Sequence, residues 1–200
     1  MTGKAAPHAR TARLTAFDAE GEDVNVIVET PKGSRNKFNY DDELGLFKLG
    51  GVLPAGAVFP FDFGFVPATL GGDGDPLDVL LLMDEPAFPG CLVMTRLIGV
   101  IEAEQTEGDG EPVRNDRLIG VAAKARNYKG VRALSQLNEN LVAEIEHFFV
   151  SYNEMKGKVF KPTGRGGAAR ARALVEEGAR AFARRHKRPR AAAKKRARKR

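Results

Sequence analysis

The sequence predicts a mainly β protein with flanking helices, an α+β fold, and three observations carry that expectation. Short runs rich in β-branched and aromatic residues recur between Gly and Pro punctuation from residue 24 to residue 123, the spacing of a barrel-like β core. After Asn138 the apolar period changes to that of an amphipathic helix. The 200 residues suffice for one domain that buries its own core, and the single Cys91 can form no bridge within the chain.

The elements follow in order. Residues 1–22 mix Ala, Arg, Gly and acids without periodicity and read as a loosely held leader. The run VNVIVET at 24–30 is a strand, broken by Pro31-Lys32-Gly33-Ser34. Short strands at 37–41 and 44–49 form a hairpin or meander, and Pro54 and Gly56 mark the next turn. At 58–66, VFPFDFGFV alternates aromatics with small or polar residues, with Asp62 as the odd charge. Further strands are expected at 79–83, 91–104 and 117–123, separated by Pro86, Pro89-Gly90 and the turn at 107–110. Cys91 then sits in a strand, as a small hydrophobe rather than a nucleophile. Leu141, Ile145, Phe148, Phe149, Tyr152 and Met155 recur three or four apart and predict a helix over 138–156, ending before Gly157. A second helix is expected over 168–185, weakened by Gly178. The domain thus spans 23–185, and 186–200 is a basic tail expected to be disordered.

Charge divides the chain. Residues 161–200 hold 16 Lys and Arg against 2 acids, a net of +14, whereas residues 1–160 carry 16 basic and 24 acidic residues, a net of −8. Any electrostatic attraction to nucleic acid belongs to the tail alone. No apolar run approaches the roughly 20 residues that span a bilayer, and the first residues lack the apolar stretch of a secretory signal. A cytoplasmic protein with no membrane partner is expected.

The run Gly71-Gly72-Asp73-Gly74-Asp75-Pro76-Leu77-Asp78-Val79-Leu80 sets three carboxylates against an apolar segment. Converging carboxylates repel one another unless a cation neutralises them, and their hard oxygens suit Mg²⁺. Asp, Gly and Pro are also ordinary turn residues, so a solvated turn is the competing reading. A calcium EF-hand loop is excluded, because counting from Asp73 its required oxygen ligand and Gly fall on Leu77 and Asp78. Glu29, Lys37 and the segment Arg114-Asn115-Asp116-Arg117 add acids beside cations, a combination that serves phosphate chemistry. His147 is structural or exposed, and with His8 and His186 near the chain ends no His cluster supports a transition-metal site.

The run 72–80 resembles the D-G-D-P-x-D-V motif of soluble inorganic pyrophosphatases. The resemblance continues in order over about residues 24–161, through Val28-Glu29-Thr30-Pro31, Phe59-Pro60-Phe61-Asp62-Phe63-Gly64-Phe65, Gly99-Val100 and His147-Phe148-Phe149-Val150-Ser151-Tyr152. It implies a small five-stranded closed β-barrel with flanking helices, Mg²⁺ as cofactor, pyrophosphate as substrate and a homo-oligomer, commonly a hexamer in bacteria. It further implies that Asp73 and Asp78 hold metal, that Asp75 is the base taking a proton from water, and that Glu29 stands behind the ligands or binds a further metal through water. Lys37, Arg117, Tyr152 and Lys158 would contact phosphate oxygens.

Six positions depart from the family pattern. Arg117 stands for the usual Lys, keeping the charge and gaining a fork. Asn39 replaces an acid, Gly50 or Gly51 stands where an Arg is usual with Lys48 nearby, Phe63 replaces Tyr, and Asn153 replaces the Lys after the helical Tyr. Asn115 takes the place of a metal-binding Asp and offers only a neutral carbonyl oxygen; Asp116 should point away if Arg117 points in, because successive strand side chains face opposite ways, unless a local bulge turns it back. Gln105, Glu107 or Asp109 would supply the other ligand of that loop. Two functions remain open on the sequence: Mg²⁺-dependent hydrolysis of pyrophosphate by an activated water, or a catalytically weakened relative that binds nucleic acid or polyphosphate nonspecifically through its tail.

Overall fold

A computed structural model describes residues 14–187. The expected basic tail beyond residue 187 and the first 13 residues of the expected leader lie outside the described residues. Residues 14–22 pack onto the domain: Ala16 is buried, Phe17 bridges to Val24, and the Asn25 amide donates to the carbonyls of Thr15 and Phe17.

Among the described residues there are nine strands, two α-helices and one 3-10 turn, Leu134–Gln136. β1 (Val24–Thr30) pairs antiparallel with β4 (Asp62–Phe65), β4 with β5 (Asp78–Leu82), and β5 runs parallel to β8 (Arg117–Ala122). β8 pairs antiparallel with β6 (Leu92–Glu107), and β6 returns to pair with β1. The five strands therefore close into the barrel-like ring the sequence predicts, with no free edge between first and last. β2 (Asn36–Asp41) and β3 (Leu46–Val52) form a separate hairpin, and the two-residue β7 (Val113–Arg114) lies on the far end of β6.

Alternation along the ring strands feeds two apolar clusters. Leu80, Leu82, Ile119 and Val121 join Phe59, Phe61 and Phe63 against helix α1 (Glu139–Glu154), which contributes Val142, Ile145 and Phe149. Val79, Leu81, Leu118 and the β1 valines 24, 26 and 28 pack against Leu174 and Val175 of helix α2 (Ala168–Lys187). Asn138 caps α1 by accepting from the Asn140 amide. Gly178 does not weaken α2 so much as seat it: a Cβ there would stand 3.0 Å from Leu77 Cδ1 and 3.3 Å from the Leu70 carbonyl, which is how closely the helix approaches the aspartate loop.

Two sequence expectations are corrected. The expected strand at 58–66 is ordered only over 62–65, because Pro60 has no N–H for a ladder and Phe59 instead exchanges backbone hydrogen bonds with Gly33 and Ser34. No strand was expected after α1, yet β9 (Lys158–Gly167) pairs with β6 from Glu107 back to Gly99. Its Pro162 sits at a register shift, where a missing N–H is tolerated. Cys91 falls just before β6, partly buried against the α2-side cluster.

Candidate active site

The ring's topology sets charges side by side. β5 and β8 are parallel with Val79 opposite Leu118, so the residues that open them, Asp78 and Arg117, are neighbours, and their side chains form a 2.9 Å ion pair. Arg117 is 4 % exposed, with its guanidinium carbon 5.2 Å and 5.1 Å from the rings of Phe149 and Phe160. Its Nη1 donates to the backbone carbonyls of Asn115 and Asp116 and to the Asn115 side-chain oxygen, while Nε is buried with no hydrogen-bond partner.

Opposite, Lys37 on β2 donates to Glu29 on β1 at 2.7 Å and lies 4.6 Å from the centre of the Phe63 ring. The second Glu29 oxygen accepts from the Tyr40 amide. Phe63, where the family pattern has Tyr, thus serves as an apolar floor under a cation.

Between these walls lies a cavity of about 590 Å³, and all nine residues singled out in the sequence line it: Glu29, Lys37, Asp73, Asp75, Asp78, Asn115, Arg117, Tyr152 and Lys158. The aspartate loop owes its shape to local chemistry. Gly74 adopts φ 91°, a conformation costly for other residues; the Asp73 carboxylate accepts from the Asp75 amide, and Gly71 N–H closes the loop on the Asp75 carbonyl at 2.7 Å. The loop is therefore both readings at once, a turn whose three aspartates face one cavity.

Burial raises the Asp78 carboxyl from 3.8 to about 6, against the lowering pull of Arg117 and Lys37. Asp73 is raised too, by burial before any other cause. The Tyr152 hydroxyl is pushed up by burial.

Asn115 faces the cavity and Asp116 does not. The Asn115 amide donates to Gln105, whereas Asp116 turns to the opposite side, accepting from the Ala103 amide at 3.1 Å and pairing with Arg114 at 2.6 Å. The strand alternation holds, and no bulge brings Asp116 in. Of the residues considered for the remaining acid, Gln105 and Glu107 line the cavity.

The donor set suits a hard divalent cation: Asp73 and Asp78 carboxylates and the Asn115 carbonyl on one wall, with Asp78 already drawing a positive group to itself. Among the described residues no three of His, Cys, Asp and Glu form a ready-made metal cluster. Arg117 donates to oxygens of both Asp78 and Asn115 and so holds the two side chains beside each other.

Sequence reasoning passed over two parts of the site. Phe149 read only as an apolar helix position and Phe160 was not singled out, yet their rings flank Arg117. Lys156 also lines the cavity; the available signal was its position one helical turn after Tyr152, whose hydroxyl it contacts at 2.8 Å.

A family model described as inorganic pyrophosphatase matches residues 26–183. The inorganic pyrophosphatase of Synechocystis sp. is 38 % identical over 154 residues, which cover 77 % of this chain and 88 % of that protein. The inorganic pyrophosphatase of Thermus thermophilus is likewise 38 % identical, over 76 % of this chain and 85 % of its own. Among solved structures, inorganic pyrophosphatase from Thermus thermophilus superposes with a TM-score of 0.77 at 35 % identity, covering 85 % of this chain and 97 % of that one. One from Neisseria gonorrhoeae gives 0.77 at 34 %, covering 86 % and 98 %. The ring of strands, the aspartate loop that opens β5 and these matches together make the chain a member of the inorganic pyrophosphatase family.

Proposed function

We propose that this protein hydrolyses inorganic pyrophosphate to two orthophosphates with Mg²⁺ as cofactor. The observation that carries the reading is the convergence of three aspartates and a set of Lys and Arg side chains on one cavity. Asp73, Asp78 and the Asn115 carbonyl would hold the metal, which when bound neutralises phosphate oxygens and lowers the pKa of the attacking water. Asp75, at the exposed edge of the loop, accepts the proton that this water loses. Lys37, Arg117, Tyr152 and Lys158 bind and orient the phosphate oxygens, and Glu29 fixes Lys37 in place through their 2.7 Å ion pair. Water adds to one phosphorus, the bridging oxygen leaves with the other phosphate, and both products depart as orthophosphate.

A homo-oligomer, a hexamer by resemblance, and a cytoplasmic setting complete the proposal; no described helix is long and apolar enough to cross a membrane. The alternative of a catalytically weakened nucleic-acid binder is not favoured, since the named relatives are pyrophosphatases along most of their length.

The test is phosphate release from pyrophosphate under Mg²⁺ titration, in the wild type and in Asp75→Asn. The wild type should turn over only with divalent metal, and Asp75→Asn should lose about 10²- to 10⁴-fold in kcat. Full activity in the variant would remove Asp75 from its role.

A further inference from the structure

The cavity holds five cationic side chains, and four are matched with carboxylates. Lys37 pairs with Glu29 at 2.7 Å, Lys48 with Asp41 at 2.7 Å, Arg117 with Asp78 at 2.9 Å and Lys158 with Glu107 at 3.1 Å. Lys156 is the exception: among the described residues no carboxylate lies within ion-pair distance of it. Its ammonium instead donates to the Tyr152 hydroxyl at 2.8 Å and lies 4.6 Å from the centre of the Tyr152 ring.

Resting on the reading of the site as a pyrophosphatase centre, we propose that Lys156 is a substrate-binding residue that grips a phosphate oxygen together with Tyr152. A cation seated beside two other cations, Arg117 and Lys158, and held by a neutral hydroxyl is stabilised when an anion enters between them. Partial burial first, then those like charges, hold the ammonium below the usual lysine range against the smaller opposing pull of Asp78 and Glu107. The position also fills a deficit. Asn153, which follows Tyr152 directly, brings no charge to the cavity: it is 3 % exposed, and its amide donates to the Phe149 carbonyl at 2.8 Å, so it serves the helix. Lys156 lies four residues after Tyr152, one turn on, and supplies the cation from just beyond the end of α1. Tyr152 fixes where the flexible lysine stem delivers its charge, so that the two donors act as one unit.

Lys156 is exposed on the cavity rim, so its replacement leaves the core intact. Lys156→Gln should lower kcat/KM for pyrophosphate about 10- to 100-fold, chiefly by raising KM, the loss expected for one charge-assisted hydrogen bond. Lys156→Arg should recover most of it. Affinity for inorganic phosphate, measured by calorimetry, should fall in parallel in Lys156→Gln and return in Lys156→Arg. KM and phosphate affinity within twofold of wild type in Lys156→Gln would overturn the assignment, as would a loss confined to kcat. A wild type that releases no phosphate from pyrophosphate sinks the functional reading instead, and the phosphate affinities of the two variants then still decide the role of Lys156.

Discussion

Asp78 stands where two demands meet: it opens a buried strand, and in the proposed role its carboxylate would have to be charged to hold a cation. Its side chain keeps 25 % of its surface exposed, and burial lifts its carboxyl to about 6 from an ordinary 3.8. The native state therefore binds this proton more tightly than the unfolded chain. Stability from this group is fully present below about pH 3.8 and is lost as pH rises through about 6, by roughly 3 kcal/mol in total at 1.36 kcal/mol per pKa unit. In the proposed role a divalent cation would bind the ionised form and counter that loss. We expect the rise in Tm on adding Mg²⁺ to metal-stripped protein to be small at about pH 4 and to grow to a plateau above about pH 6. Scanning fluorimetry across that range checks it, and a gain independent of pH would rule Asp78 out as the coupled group.

At this scale the sequence was most legible. All nine residues chosen from spacing and resemblance line one cavity, and Asp116 points away as strand alternation requires. Hidden from it were the pairings. That Arg117 would be spent on Asp78 and Asn115 depends on a parallel register between strands 39 residues apart, which no local pattern encodes. That Lys156 would lack a carboxylate depends on which acids other strands bring near.

Single elements carry the site through a few contacts that can be removed one at a time. Asp62, the odd charge among aromatics, is 1 % exposed and accepts from the amides of Lys32 and Ala87 at 2.6 Å and 2.8 Å, tying together the loops after β1 and β5. Asp62→Ala leaves two part-buried N–H donors without their acceptor and should cost about 1 to 3 kcal/mol, read from urea unfolding. Retention of wild-type stability would show that water replaces the carboxylate. Gly178 sets the contact between α2 and the loop leading to Asp73. Gly178→Val should push that loop outward, destabilise the protein by about 1 to 3 kcal/mol and raise the Mg²⁺ concentration for half-maximal activity. An unchanged Mg²⁺ requirement would mean the loop moves independently of α2.

Element existence followed from apolar periodicity for α1 and from runs of β-branched and aromatic residues for the buried ring strands. β9 escaped because its ten residues, KVFKPTGRGG, hold three glycines and a proline, and its pairing rests on backbone bonds to the long β6 rather than on an apolar face. The strand expected over 58–66 shrank for the complementary reason: aromatic residues promise strand, but Pro60 withholds the donor a ladder needs.

For the whole molecule, charge is divided along the chain, with an acidic body and a basic end. Residues 188–200 hold eight Lys and Arg and no acid, so their removal takes the net charge from +6 to −2. If the tail meets nucleic acid, binding should be sequence-independent and fall steeply with salt, with a log–log slope of up to about −7 for eight phosphate contacts. Deleting 188–200 should abolish retention on duplex DNA at low salt while leaving pyrophosphate turnover unaltered. Retention of the truncated chain would move the basic contact onto the folded domain.

One last consequence comes from Tyr152, and from Tyr40 across the cavity. The chain has no tryptophan and three tyrosines, and these two line the site. Tyrosine emission is therefore weighted toward the cavity, unobscured by indole. The protein carries an intrinsic optical reporter, so metal and phosphate entry can be followed by ultraviolet fluorescence without a label or a turnover event.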